Sequence, residues 1–141
     1  MVGPREVPLE RDRLPDAEPG PHEVIMRTRY SLISPGTELA HDAGTSDLAH
    51  IPATPYPWYP GYAAVGEVVA AGAEGGVQQS ELALAHTPHQ SAARFDARER
   101  VCVPVPMGVE PLRATLAQVG AVSLRTSAAR ARDWVAVIGP E

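Results

Sequence analysis

The chain has 141 residues and a formal net charge of −5, from 12 basic and 17 acidic side chains. This length suits about one domain with a single hydrophobic core. All the basic residues are arginine and they are scattered, so the sequence lacks the clustered basic patch that nucleic-acid binding requires. No apolar run approaches the roughly 20 residues that span a bilayer. The single cysteine, Cys102, excludes an internal disulfide and, with a polar N-terminus, predicts a cytoplasmic, reducing setting.

The high content of proline and glycine, 15 and 12 residues, favours strands and turns over a helical bundle. The segment EVIMRTRYSLI (23–33) alternates apolar and polar residues with the period of a half-buried strand. Gly66 lies inside the next strand candidate and predicts a bulge or a close backbone approach. The spacing of the strand candidates is that of a small barrel or sandwich. The further candidates lie at 61–72, 82–86, 92–95 and 101–105.

Two helical regions are predicted. The stretch LISPGTEL (32–39) leaves the first strand through a Ser-Pro-Gly turn, and TELAHDAG (37–44) reads as a short helix closed by Gly44. Residues 110–132 are rich in Ala, Leu and Arg, which predicts one long helix or two short ones interrupted near Gly120. The last segment, DWVAVIGPE (133–141), reads as a Val- and Ile-rich strand that ends in glycine.

The order of these parts resembles the medium-chain dehydrogenase/reductase superfamily, and within it the GroES-like N-terminal half of an alcohol-dehydrogenase-type enzyme. The SPGTE form is similar to a subgroup of threonine-dehydrogenase-like and bacteriochlorophyllide-dehydrogenase-like oxidoreductases. The segments that carry the resemblance occur in family order between residues 23 and 139: LISPGTEL (32–39), Gly44, YPGYAAVGEVVAAGA (59–73), PVPMGV (104–109) and VAVIG (135–139).

The resemblance implies a mainly β fold with some α. Its parts are a GroES-like, partly open β-barrel domain over 1–109 and a connector over 110–141. The connector combines a C-terminal helical segment with the first strand of a truncated Rossmann domain, of which the nucleotide-binding remainder is missing.

The zinc chemistry of the family is not expected here. Zinc-dependent relatives use three protein ligands, and the matching positions hold Pro35, the Gly61–Tyr62–Ala63 triplet and Gly120. None of these can bind zinc. The segment from His86 to His89 offers another metal hypothesis, but Pro88 disfavours a helical pair of ligands, and we predict no metal site.

Two residues are candidates for catalysis. Thr37 matches the family position whose hydroxyl passes on the proton of the substrate hydroxyl; the alternative is that it caps the helix over 37–44, with Glu38 in the first turn. Tyr62 either polarises a substrate carbonyl or packs beside the glycine-containing strand. The substrate-cleft candidates are Glu38 and the aromatic group, which either lines a cleft or covers the barrel mouth: Tyr56, Trp58 and Tyr59.

The resemblance also bears on cofactor and partners. A dinucleotide loop needs glycines that let backbone N–H groups approach the pyrophosphate, and here Gly139 is followed by Pro140 and Glu141. Gly139 is thus a remnant, and we expect no cofactor in the isolated chain; NAD(P) is implied only with a nucleotide-binding partner. Segment 110–139, which in the family packs on that half, predicts a homo-oligomer or a separate nucleotide-binding chain.

Two function hypotheses remain open. The chain is either the substrate-binding half of a zinc-independent, NAD(P)-dependent oxidoreductase, inactive alone, or a stand-alone, non-catalytic barrel. In the second hypothesis, the cleft of the barrel binds a small molecule or a partner protein. Both expect a small-molecule ligand or a protein partner, with no nucleic acid and no membrane.

Overall fold

The computed structural model describes residues 1–11, 13–14, 16–44 and 56–127, and for 123–127 the backbone alone. Its centre is a five-stranded antiparallel sheet in the order β4-β1-β2-β3-β5. The described part of the sheet has β4 and β5 as its two edges, so the sheet is open there. The mainly β fold with some α is confirmed. The strands are β1 (Glu23–Ser31), β2 (Ala64–Ala71), β3 (Leu82–Ala85), β4 (Ala92–Asp96) and β5 (Cys102–Pro104).

All five strands lie within or close to the strand candidates of the sequence, of which only 23–33 was predicted from apolar alternation. The largest boundary difference is at β2, which begins at Ala64 and not at Gly61. Gly61 has a φ of +102°, a left-handed conformation that does not continue a strand. Pro104 lies in an edge strand, the position in a sheet where proline costs no ladder hydrogen bond.

The core is small and rich in alanine. Val24 and Met26 of β1 have no exposed surface, and Phe95 of β4 packs in the same cluster. Cys102 packs against this cluster at the sheet edge, and burial raises the pKa of its thiol to about 11. Because the thiolate is the reactive form, this shift disfavours reactivity, which agrees with the interpretation of Cys102 as a small apolar packing residue. The other buried members of the cluster are Ala64, Val68, Val77, Ala83, Ala85 and Ala93.

The close backbone approach predicted at Gly66 is present, together with a bulge on the neighbouring strand. A Cβ atom at this position would lie 2.3 Å from the carbonyl oxygen of Arg27. Thr28 pairs with Gly66 and Tyr30 with Val65, so β1 carries one extra residue at this point. The glycine therefore allows β1 and β2 to pack at their observed separation.

The start of the first helix differs from the prediction. Helix α1 (Pro35–Asp42) begins two residues earlier than expected, and its N-cap is Ser34, so Thr37 lies in the first turn and is not a cap. The physical reason is Pro35, whose fixed φ suits the first helical position and whose missing N–H costs nothing there. The predicted C-terminal glycine is confirmed, since Gly44 follows the helix with a φ of +65°.

The second helical region is divided, but not at Gly120. Helix α2 (Pro111–Ala114) and helix α3 (Leu116–Ser127) meet at Thr115. The Thr115 hydroxyl donates a 2.6 Å hydrogen bond to the carbonyl of Leu112, which competes with the helical hydrogen bond to that group. Gly120 lies inside α3 with no atom near enough to contact an added Cβ. The predicted terminal strand and Gly139 lie outside the described residues.

None of the helices in the described part of the chain has the length and the apolar content that a membrane span requires.

A tight turn after β4 makes the pH dependence of one carboxylate predictable. Hydrogen bonds from the Arg98 side chain, with one from its backbone N–H, lower the pKa of Asp96 from 3.8 to about 2. A lowered carboxyl pKa contributes stability above the unfolded pKa, and this contribution is lost as the pH falls towards 2. We expect Arg98→Gln to return the Asp96 pKa towards 3.8 in a carboxyl NMR titration. Arg100→Gln is the matched control, and an unchanged Asp96 pKa in Arg98→Gln would contradict the assignment.

Candidate functional site

The first turn of α1 is organised around the buried carboxylate of Glu38. Its Oε1 accepts a 2.8 Å hydrogen bond from the backbone N–H of Ser34, and its own backbone N–H donates to the Ser34 carbonyl at 2.9 Å. Its Oε2 lies 2.9 Å from Nε2 of His89. A buried carboxylate is stable only when its oxygens have such partners. Glu38 therefore joins the start of α1 to the loop that follows β3.

His89 is held against a second loop as well. Its backbone N–H donates a 2.7 Å hydrogen bond to the carbonyl of Pro60. A Cβ atom at Gly61 would lie 2.6 Å from the backbone nitrogen of His89 and 2.8 Å from its imidazole ring. The glycine of the YPGY motif is thus needed for the close approach of the histidine as well as for its positive φ. Three segments that are distant in sequence meet at this side chain: the start of α1, residues 60–61 and the loop containing His89.

The sequence suggests a metal hypothesis for His86 and His89 but predicts no metal site there. The structure gives His89 a carboxylate partner, and the part of the chain that it describes contains no group of three or more metal-binding side chains. The pairing of His89 with Glu38 was not predicted. No spacing rule could have found it, because the two residues are 51 positions apart and strands β2 and β3 lie between them in the chain.

Two of the three aromatic cleft candidates contact the end of α1. The hydroxyl of Tyr56 donates a 2.7 Å hydrogen bond to the carbonyl of His41, and the ring of Trp58 lies 4.1 Å from the His41 ring. Tyr59 is exposed. The Trp58 carbonyl accepts a hydrogen bond from the N-terminal amine of Met1. These contacts place Tyr56 and Trp58 beside α1.

The two catalytic candidates lie on adjoining segments. Thr37 is half-buried in the first turn of α1, one residue before Glu38. Tyr62 precedes β2 and packs edge-to-face with His86, with ring centroids 6.1 Å apart. Loss of solvent around the His86 ring, followed by the nearby Arg100 charge, lowers its pKa below the ordinary value. A hydrogen bond of 2.9 Å from Leu32 to the Ala63 carbonyl joins the two segments.

The arrangement brings a hydroxyl, a phenol and an imidazole–carboxylate pair into neighbouring segments. Hydroxyl and phenol groups both donate and accept hydrogen bonds, which suits the binding of a small polar group. Both oxygens of the Glu38 carboxylate are engaged, one with the Ser34 backbone and one with Nε2 of His89, so the pair holds the segments together.

Comparison with known proteins finds one curated relative by sequence and several solved structures with a similar fold. No known protein-family model matches the chain. The 2-desacetyl-2-hydroxyethyl bacteriochlorophyllide A dehydrogenase of Cereibacter sphaeroides is 35% identical over 81 residues, which are 57% of this chain and 24% of that protein. The chain thus spans about a quarter of the length of this curated relative.

Solved structures show the same fold at low sequence identity. The quinone oxidoreductase of Thermus thermophilus matches 92% of this chain and 40% of its own, with a TM-score of 0.60 and 20% identity. A putative NADPH:quinone reductase from Bacillus thuringiensis matches 82% of this chain and 33% of its own, with a TM-score of 0.60 and 22% identity. The Escherichia coli quinone oxidoreductase, solved with NADPH, matches 82% and 35%, with a TM-score of 0.58 and 12% identity. The described fold is therefore one that occurs in part of these larger oxidoreductases.

The buried carboxylate provides a testable prediction. We expect Glu38→Gln to lower the free energy of unfolding by about 1–3 kcal/mol, because an amide has one acceptor oxygen for the two donors of Ser34 and His89. The measurement is urea unfolding followed by circular dichroism. Glu67→Gln is the control, since Glu67 forms a more exposed pair with Arg29 and should cost about 0–1 kcal/mol. Equal effects of the two changes would contradict the role given to Glu38.

Proposed function

We propose that this chain is the substrate-binding half of a zinc-independent, NAD(P)-dependent oxidoreductase of the medium-chain dehydrogenase/reductase type, inactive alone. The observation that carries the proposal is that two independent comparisons agree on the reaction class. The relative found by sequence is a dehydrogenase, and the neighbours found by structure are oxidoreductases. The GroES-like barrel over 1–109 would form the substrate side, in a cytoplasmic setting that agrees with a single free thiol.

The proposal gives a role to Thr37, in the first turn of α1, and to Tyr62, just before β2. Thr37 is proposed to pass the proton of a substrate hydroxyl onward, and Tyr62 to polarise a carbonyl. Thr37 is not the N-cap of α1, so the capping explanation of this residue no longer competes with the catalytic one. Zinc independence is supported by the residue types at the positions that match the zinc ligands: proline, tyrosine and glycine at 35, 62 and 120.

The cofactor side is proposed to come from a nucleotide-binding part or partner that docks on segment 110–139. The described portion of this segment exposes apolar side chains, including Leu112, Leu116 and Val122. Surface of this kind marks an interaction site. Bound NAD(P) would supply hydride chemistry. Gly139, the one remnant of a dinucleotide loop in the sequence, lies outside the described residues, so no step in the proposal depends on it.

A chimera tests the proposal directly. The part of the Cereibacter sphaeroides dehydrogenase that corresponds to residues 1–109 of this chain, the proposed substrate side, would be replaced by those residues. We expect measurable dehydrogenase activity, lowered about 10²-fold or more by Thr37→Val and largely kept by Thr37→Ser, because serine retains the hydroxyl. A folded chimera without activity, or one indifferent to Thr37→Val, would contradict the proposal.

The second candidate function is a non-catalytic barrel that binds a small molecule or a partner protein. The observation that favours it is that Glu38 and His89 are engaged with each other and with the backbone, leaving little free acid–base chemistry in the described site. The chimera is the first readout that separates the candidates, and titration of the purified chain with NADH and NADPH, followed by fluorescence and calorimetry, is the second. Saturable binding favours the enzyme. Its absence up to millimolar concentrations is expected of the isolated half as well, so it favours the binding module only together with an inactive chimera.

A further inference from the structure

One buried polar atom beside the proposed site has no partner. The described residues contain two such side-chain atoms, Oγ1 of Thr28 and Nδ1 of His89. The Thr28 hydroxyl lies in the sheet at the β1 bulge, whereas His89 touches the turn that carries Thr37. The His89 side chain is 21% exposed and that of Glu38 is 9% exposed, so water has little access to the contact between them.

The unpaired nitrogen limits which form of the imidazole fits. A doubly protonated ring would bury an Nδ1–H donor without an acceptor, and a singly protonated Nδ1–H ring would also turn the Nε2 lone pair towards a carboxylate oxygen 2.9 Å away. The neutral Nε2–H ring avoids both costs, because it donates to Glu38 and leaves only a lone pair at Nδ1. Attraction between opposite charges would favour the doubly protonated ring, but it requires an unsatisfied donor at a buried atom.

The hydrogen bond from His89 is linked through Glu38 to the turn that contains Thr37. The carboxylate accepts from His89 with one oxygen and from the Ser34 backbone with the other. Ser34 and Glu38 are also joined by a backbone hydrogen bond of 2.9 Å, so both ends of the turn that contains Thr37 are held. His89 itself is held by the Pro60 carbonyl and by contact with Gly61.

We propose that His89, as the neutral Nε2–H form, is a positioning residue for Thr37. It orients the Glu38 carboxylate, and the carboxylate fixes the first turn of α1 in which the Thr37 hydroxyl lies. The importance of that hydroxyl rests on the proposed function. The protonation state and the mechanical link do not, and they are measured without any enzyme activity.

The first test reads the ring directly. In ¹⁵N-labelled wild-type chain near neutral pH, we expect Nδ1 of His89 to resonate as an unprotonated nitrogen and Nε2 as a protonated one. A proton on Nδ1, in either the singly or the doubly protonated ring, would overturn the proposal. This measurement needs no variant, so it decides the protonation state even if a substitution at His89 prevents folding.

The second test reads the link to the turn by amide hydrogen exchange. We expect His89→Leu to speed exchange at the Ser34 amide by about tenfold, because the variant loses one hydrogen bond to the charged Glu38 carboxylate. Amides of β1 should stay protected. His89→Gln, whose side-chain amide can donate to Glu38, should restore most of the protection. His86→Leu, in the same loop but without a carboxylate partner, is the matched control. Unchanged Ser34 exchange in folded His89→Leu would overturn the proposal, whether or not the chimera is active.

Discussion

Gly66→Ala is expected to lower the free energy of unfolding by on the order of 3 kcal/mol or more. The added Cβ would lie 2.3 Å from the Arg27 carbonyl oxygen and 2.7 Å from Cγ of Met26. The carbonyl belongs to the backbone of β1, which is paired with β2 on one side and β4 on the other, so it cannot move without disturbing both ladders. The measurement is urea unfolding followed by circular dichroism.

A second glycine provides the control for this change. Gly120 lies inside α3, and a Cβ atom added there would have no atom within 4 Å. We expect Gly120→Ala to raise stability by about 0.5–1 kcal/mol, because alanine loses less backbone entropy in a helix. The same chemical change should thus have opposite signs at the two positions. A loss below about 1 kcal/mol for Gly66→Ala would show that β1 and β2 separate easily, contrary to the structure.

Met26→Ala is expected to destabilise the chain by about 2–5 kcal/mol. Met26 is fully buried and is the largest side chain with no exposed surface in the core. Its neighbours across the sheet include several alanines, which are too short to fill the space that the methionine would leave. Urea unfolding again gives the free energy, with the slope of the transition as a check that the unfolded state is unchanged.

Met107 is the matched control for Met26. It has the same side chain, is fully exposed and lies in the turn after β5. We expect Met107→Ala to change stability by less than about 0.5 kcal/mol. If the two methionine variants lost similar stability, Met26 would not be the core residue that the structure shows.

Much of the fold was predictable because its signals are local. The period-2 alternation in 23–33 predicted β1, since successive side chains of a strand point to opposite faces. Gly44 predicted the end of α1, because helices commonly end at a residue in the left-handed conformation and glycine adopts that conformation at little cost. The errors were local as well. Ser34 and Pro35 form the start of a helix where a turn was expected, and Thr115, not Gly120, divides the last helical region.

The site was predictable only in part. The motif LISPGTEL made Thr37 and Glu38 site candidates, but it did not reveal that Glu38 is buried and shared between Ser34 and His89. The aromatic residues near 56–59 were expected to line a cleft or to cover the barrel mouth, and nothing in the sequence indicated that two of them contact His41 at the end of α1. Their roles in binding a substrate remain predictions.

The amino-acid sequence by itself determined the strands, the close backbone approach at Gly66 and the end of α1 at Gly44, because each depends on residue type and short-range spacing. Only the tertiary structure decided that His89 meets Glu38 and that Gly61 makes room for the histidine. Such contacts join segments brought together by the order of strands in the sheet, and strand order follows from the packing of the whole core. The helices and strands therefore depend mainly on local sequence, whereas the site depends on the tertiary arrangement of the sheet.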